Sequence, residues 1–333
     1  MKRLVPTFDR YALALLATVA LAAALPCRGA FAAAFETLTT IAIVLLFFLH
    51  GARLSRDAVI AGLVHWRLHL LVLASTYLLF PLIGVGIEAL LPSALLPSGL
   101  VVGILFLCAL PSTVQSSIAF TAIARGNVAA AVCSASLSNL LGVFLAPMLV
   151  SLLLHSSAAG VSGSGSIGKI VLELFVPFVA GHLARPWIGR RVERSRRLLA
   201  YTDRGTVLLV VYVAFSASMV EGLWHNVPWP TLGVLFALLA LMLAFILLAT
   251  TWLSRRFGFG REDEIAIVFC GSKKSLASGV PIARILFAGS PALGMIVLPV
   301  LIYHQLQLLV CAVLAQHYAR RSDQAATLKQ EAA

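Results

Sequence analysis

Two adjacent lysines, Lys273 and Lys274, stand near the middle of an apolar stretch that runs from Ile265 to Leu286. At the centre of a membrane helix each costs about 2.5 to 3.5 kcal/mol, or roughly 5 to 7 kcal/mol for a charged pair that fails to reach polar surroundings. A pair kept at such a cost points to a watery cavity and to an anionic ligand. Gly271, Ser272 and Ser275 flank the lysines, with Ser278, Gly279 and Pro281 following. A second polar cluster interrupts another apolar stretch: Pro111 is followed by Ser112, Thr113, Gln115, Ser116 and Ser117. Pro111 removes a helix donor, so this helix is expected to break. A break frees backbone carbonyls to hold a cation and exposes a half-helix N-terminus to an anion. Two plainer readings stay open. The first cluster can be a proline kink whose hydroxyls bond back to their own helix, and the lysines can snorkel to an interface. Glu264, nine residues before Lys273, keeps the second alternative available.

The elements that must position these clusters are apolar throughout. Of 333 residues 60% are hydrophobic and 11% charged, with a mean hydropathy of +0.98, which excludes an ordinary soluble domain. The fold class expected is an all-α polytopic membrane protein with ten transmembrane helices. The spans are Tyr11 to Cys27, Glu36 to His50, Leu68 to Leu90, Leu100 to Ala124, Val128 to His155, Gly168 to Ala184, Thr206 to Trp224, Thr231 to Leu253, Glu264 to Leu286, and Pro291 to His317. The second is short for a crossing and is expected to borrow residues from both flanks. Lys2, Arg3 and Arg10 before the first apolar run also fit a cleaved signal peptide, but the repeat count favours a retained helix.

The net charge of +12 would suit nucleic acid, yet the basic residues sit in short connections and report topology instead, so no nucleic-acid partner is expected. With both termini cytoplasmic, Arg53, Arg56, Arg67, Arg125, Arg185, Arg190, Arg191, Arg194, Arg255, Arg256, Arg261, Arg320 and Arg321 fall on one side of a cell inner or plasma membrane. Arg28 and Lys169 fall on the other. The ten spans divide five and five, so the halves, residues 11–155 and 168–317, must be inverted, and residues 318–333 form a short cytoplasmic tail. Cys108 to Ile118 (CALPSTVQSSI) can be laid on Cys270 to Val280 (CGSKKSLASGV), each in the fourth span of its half, helices 4 and 9 of the chain. Matched irregular segments of this kind point to a binding site.

Other residues are less telling. The five cysteines, Cys27, Cys108, Cys133, Cys270 and Cys311, lack metal-ligand spacing and read as thiols without a disulfide framework. His65 and His69 have metal-helix spacing, but Trp66 and Arg67 between them favour a membrane-surface helix. Glu173 with Lys169, and Glu88, read as structural, and Arg284 as snorkelling to the far interface. No phosphate loop, nucleophile elbow or triad appears, so the chain does not read as an enzyme.

At the two clusters the chain resembles the bile acid and sodium symporter family. The resemblance spans nearly the whole sequence and is most specific in PSTVQSSIAFTAIARGNVAAAVCSAS, Pro111 to Ser136, and FCGSKKSLASGVPIARILFAG, Phe269 to Gly289. Both look most like the divergent subgroup that contains the seventh human member. The resemblance implies ten helices in two inverted repeats, with helices 4 and 9 unwound where they cross. It also implies a core of helices 3 to 5 and 8 to 10 that moves against helices 1, 2, 6 and 7. Where the family's sodium symporters carry Glu and Gln in the ninth helix, this chain has Cys270 and Lys274; Ile118 replaces an Asn, and Ala131 and Ala135 replace hydroxyls. Ser117 matches a hydroxyl ligand and is the one sodium contact implied; no cofactor is expected beyond Na+ as coupling ion.

The function expected is therefore secondary transport of a small organic anion by alternating access, with Ser112, Thr113, Gln115, Ser116 and Ser117 facing Cys270, Ser272, Lys273, Lys274 and Ser275. The missing carboxylate argues against the usual sodium coupling, and Lys273 or Lys274 can supply a tethered charge where sodium would sit. The alternative is a membrane regulator that keeps the transporter fold without moving cargo. In either case the surrounding lipid is a partner, and the basic loop from Arg185 to Arg204 reads as an ordinary inside loop ahead of a docking site for acidic lipid or protein.

Overall fold

The computed structural model describes residues 10–53, 65–90, 95–155, 171–220, 222 and 228–331, and the regular structure among them is entirely helical. The helices are α1 (Arg10–Ala24), α2 (Gly29–Arg53), α3 (Trp66–Leu90), α4 (Ser98–Ala109), α5 (Val114–Ile123) and α6 (Val128–His155). They continue as α7 (Val176–Arg194), α8 (Arg196–Val220), α9 (Trp229–Arg256), α10 (Arg261–Gly271), α11 (Leu276–Leu286) and α12 (Leu293–Glu331). Single π-helical turns lie inside α3 at Ser75–Leu79 and just before α7 at Val171–Phe175.

Among the described residues seven helical units are long and apolar enough to cross a membrane, and the bent pair α4 and α5 makes eight. The chain is an integral membrane protein. Large apolar side chains at helical spacing, Leu38, Ile41 and Leu45 on α2 and Leu241, Phe245, Leu248 and Trp252 on α9, face outward as a lipid-facing surface requires. The apolar part of α1, Leu13–Ala24, is shorter, and the second half of α7 carries Arg185, Arg190, Arg191 and Arg194. The short second span does borrow from its flanks, running from Gly29 to Arg53. The residues after His317, expected as a tail, continue α12 to Glu331. All five cysteines are free thiols.

Two groups of helices emerge from the packing. In one, α2 lies along α7 and α1 along α8, with α8 also touching α2. The crossing of α2 and α7 demands glycine: a Cβ at Gly51 would lie 1.9 Å from the carbonyl oxygen of Phe178, and one at Gly181 1.9 Å from that of Phe48. The other group contains α3 to α6 and α9 to α12, and α8 joins the groups by packing on α11 and α12. At its centre is the stretch Arg261–Leu286, whose apolar window is 94% buried, against 22% in Gly29–Ala52.

Several charged residues find partners that their spacing does not announce. Arg255 forks onto Glu264 at 2.8 and 2.9 Å, and Tyr318 donates to the same carboxylate at 2.8 Å. Arg284, expected to snorkel, pairs with Glu36 of α2 at 3.2 Å. His69 is no surface residue either; it is buried with Nδ1 2.7 Å from the Ser134 hydroxyl, while His65 is exposed. Lys169, the expected partner of Glu173, lies outside the described residues, as do Lys2, Arg3 and Arg56.

Candidate functional site

The first break follows from Pro111. Having no N–H, it cannot continue α4, which ends at Ala109 with Leu110 as an extended C-cap; α5 starts at Val114, bent by 62°. The second break, between Gly271 and Leu276, contains no proline. Its N–H groups leave the helical ladder for partners elsewhere: Lys274 donates to Gln307 Oε1 at 2.9 Å, and Ser275 to the Pro111 carbonyl at 2.8 Å. The two halves stay nearer one axis here than at the first break, so α10 and α11 pass as one span.

The breaks meet and satisfy one another. Ser112 donates its hydroxyl to the Cys270 carbonyl, Ser117 to that of Phe269 at 3.0 Å, and Thr113 to that of Lys274 at 2.8 Å. Thr113 and Ser275 are the N-caps of α5 and α11, in agreement with the alignment of the two segments. That alignment also pairs Ser112 with Lys274, and an amide braces each: Asn139 of α6 donates to the Ser112 carbonyl at 2.6 Å, Gln307 of α12 to that of Lys274 at 3.0 Å. Ser138 accepts from the Ser112 N–H at 3.0 Å, and Tyr303 donates to the Ser272 carbonyl at 2.9 Å. Asn139 and Gln307 are residues that the sequence reading passed over; the signal they carry is an amide within an apolar helix, costly unless bonded.

The two lysines have different surroundings. Both are fully buried. The Lys274 ammonium donates to the carbonyls of Thr76, Cys108 and Leu110 at 2.9, 2.8 and 2.7 Å and lies 4.0 Å from the centre of the Phe80 ring. Three bonds to a charged donor contribute about 1.5 to 3 kcal/mol each, enough to offset a desolvation cost of several kcal/mol. All three of its protons are committed to backbone carbonyls. Lys273 Nζ has no hydrogen-bond partner; it lies 3.9 Å from the Phe120 ring centre and 5.4 Å from that of Phe269. Cation–π contact supplies about 2 kcal/mol, which leaves a charged Lys273 short of compensation.

Of the residues expected here, the structure gathers Ser112, Thr113, Ser117, Cys270, Ser272, Lys274 and Ser275 into the bonded crossover and sets Lys273 beneath α5. Gln115 is exposed and stands outside it. Ser116 keeps a buried hydroxyl with no hydrogen-bond partner, as does Thr121 one turn and a residue further along α5. The carbonyls that converge at the first break are taken by the Lys274 side chain, and Ser117, the implied sodium contact, gives its hydroxyl proton to the Phe269 carbonyl. Among the described residues no group of three or more His, Cys, Asp or Glu is placed to hold a metal.

The profile of the SBF-like CPA transporter family matches residues 9–320. The chain belongs to that family. Similar members include an uncharacterized protein of Pseudomonas aeruginosa, 59% identical over 324 residues that cover 97% of each chain. The candidate symporter YfeH of Escherichia coli K12 is 53% identical over 316 residues, 95% of this chain and 94% of its own. Sodium/bile acid cotransporter 7 of Rattus norvegicus is 30% identical over 279 residues, 84% of this chain and 82% of its own. Membership of the SBF-like CPA transporter family accords with the resemblance at the two polar clusters, and it points to a transporter and not an enzyme.

Proposed function

We propose that this chain is a secondary transporter of a small organic anion, working by alternating access through ten spans in two inverted halves, residues 11–155 and 168–317. The observation that carries the reading is Lys273, a buried side-chain amine without a hydrogen-bond partner beside two interrupted helices. An anion arriving there would supply the missing counter-charge, and the unpartnered hydroxyls of Ser116 and Thr121 on α5 offer further donors.

Adding α1 and α7 to the eight apolar units gives ten spans. The packing is in keeping with inversion, because the contact of α1 with α8 has its counterpart in that of α7 with α2. The group of α1, α2, α7 and α8 would be the static panel and the other group the moving core, with α8 against α11 and α12 as the sliding contact. The excess of arginines on one set of connections supports cytoplasmic termini in a cell inner or plasma membrane. The relatives' names, candidate symporter and sodium/bile acid cotransporter 7, support symport and an amphipathic organic anion.

The test is uptake of labelled organic anions, bile acids included, into liposomes that contain only this protein. Saturable uptake that Lys273→Met lowers at least about tenfold, the loss of one charge-assisted contact of roughly 1.4 kcal/mol or more, is the expected result. Equal uptake by Lys273→Met would remove Lys273 from the site. Absence of flux for every anion in folded protein would instead leave a non-transporting regulator.

A further inference from the structure

We propose that Lys274 is a tethered cation that permanently fills a monovalent-cation site built by the first helix break, so that this break needs no exchangeable ion. The site is made by two prolines. In the π-helical turn of α3 the Phe80 N–H donates to the Ser75 carbonyl, and Pro81 has no N–H, so the Thr76 carbonyl is left without a helical partner. At the end of α4, Pro111 breaks the helix, and the Ser112 N–H that would have closed onto Cys108 donates to Ser138. Leu110, the C-cap, adds the third free carbonyl.

Three orphan carbonyls therefore converge at the negative end of the α4 dipole, above the face of Phe80. Neutral carbonyls with an aromatic face suit a singly charged cation, whereas a divalent ion takes carboxylates. Lys274 reaches this centre from the other break, and its bonds are of ordinary ammonium length. The proposal deepens the transport reading at its crossover, but it rests on the geometry of α3, α4 and the second break alone.

The decisive experiment is thermal unfolding of the purified full chain in choline, sodium and propylammonium chloride at matched ionic strength. Propylammonium restores the three methylenes and the nitrogen that Lys274→Ala removes. Lys274→Ala is expected to unfold roughly 10 °C below the wild type in choline and to recover saturably by roughly 3 °C or more in propylammonium. The wild type, and Lys273→Ala with its cage-free lysine removed, should respond to neither cation. A folded Lys274→Ala without an amine-specific shift overturns the proposal, as does an equal shift in Lys273→Ala. If Lys274→Ala yields no folded protein in any salt, the wild type decides: a saturable sodium-specific rise overturns the tethered cation, and coincident curves uphold it. These outcomes read stability only, so a failed anion screen would count against the transport reading and leave this one standing.

Discussion

At the first break the carbonyls of Cys108 and Leu110 turn to an ammonium; at the second, those of Phe269 and Cys270 turn to the hydroxyls of Ser117 and Ser112. Each break takes its donors from the other, yet one set is charged and the other neutral. The difference lies in what local geometry frees. Around the first break two prolines and a π-helical turn leave three carbonyls aimed at one centre, and a single three-proton donor satisfies them together. At the second break the carbonyls of Phe269 and Cys270 are met by separate neutral hydroxyls. A charged donor at a shared centre concentrates stabilisation in one side chain, whereas separate hydroxyls spread it.

That contrast is open to direct attack, and the largest effect is expected at Lys274. Removing it as Lys274→Ala leaves three buried carbonyls unsatisfied and should cost about 3 to 5 kcal/mol, measured by thermal or denaturant unfolding in detergent. Gln307→Leu comes next: it strips the Lys274 N–H of its partner and leaves the Lys274 carbonyl to Thr113 alone, for a loss of about 2 kcal/mol. The matching change at the first break, Asn139→Leu, removes a bond to the Ser112 carbonyl and one accepted from Ser278, and should cost about 2 kcal/mol. Ser112→Ala and Ser117→Ala should each cost about 1 kcal/mol and add within a few tenths of a kcal/mol, if the second break is satisfied by independent bonds. Strong coupling between them would show that the hydroxyls act as one unit and would erase the contrast.

Lys273→Met is expected to have the smallest effect on stability and to be neutral or mildly stabilising, because an uncompensated buried charge gives way to an apolar side chain of similar length. A loss above about 2 kcal/mol would mean that Lys273 has structural partners like those of its neighbour, and that the two lysines are not divided between fold and ligand.

The membrane character, the break at Pro111 and the correspondence of the two polar segments were decided by the sequence alone. Hydropathy, a missing N–H and a repeated pattern are local properties, and no tertiary contact can undo them. The second break is of another kind. Nothing between Gly271 and Ser275 forbids a helix, and the chain leaves it because Gln307 and Pro111 offer their oxygens to N–H groups that a helix would have used. Nor could the sequence tell Lys273 from Lys274, which are the same residue at adjacent positions. In the non-helical backbone between α10 and α11 the two lysine side chains meet different neighbours. One ammonium therefore enters a cage of carbonyls from α3 and α4, and the other stops beneath the ring of Phe120, because only the packed helices fix what lies on each side.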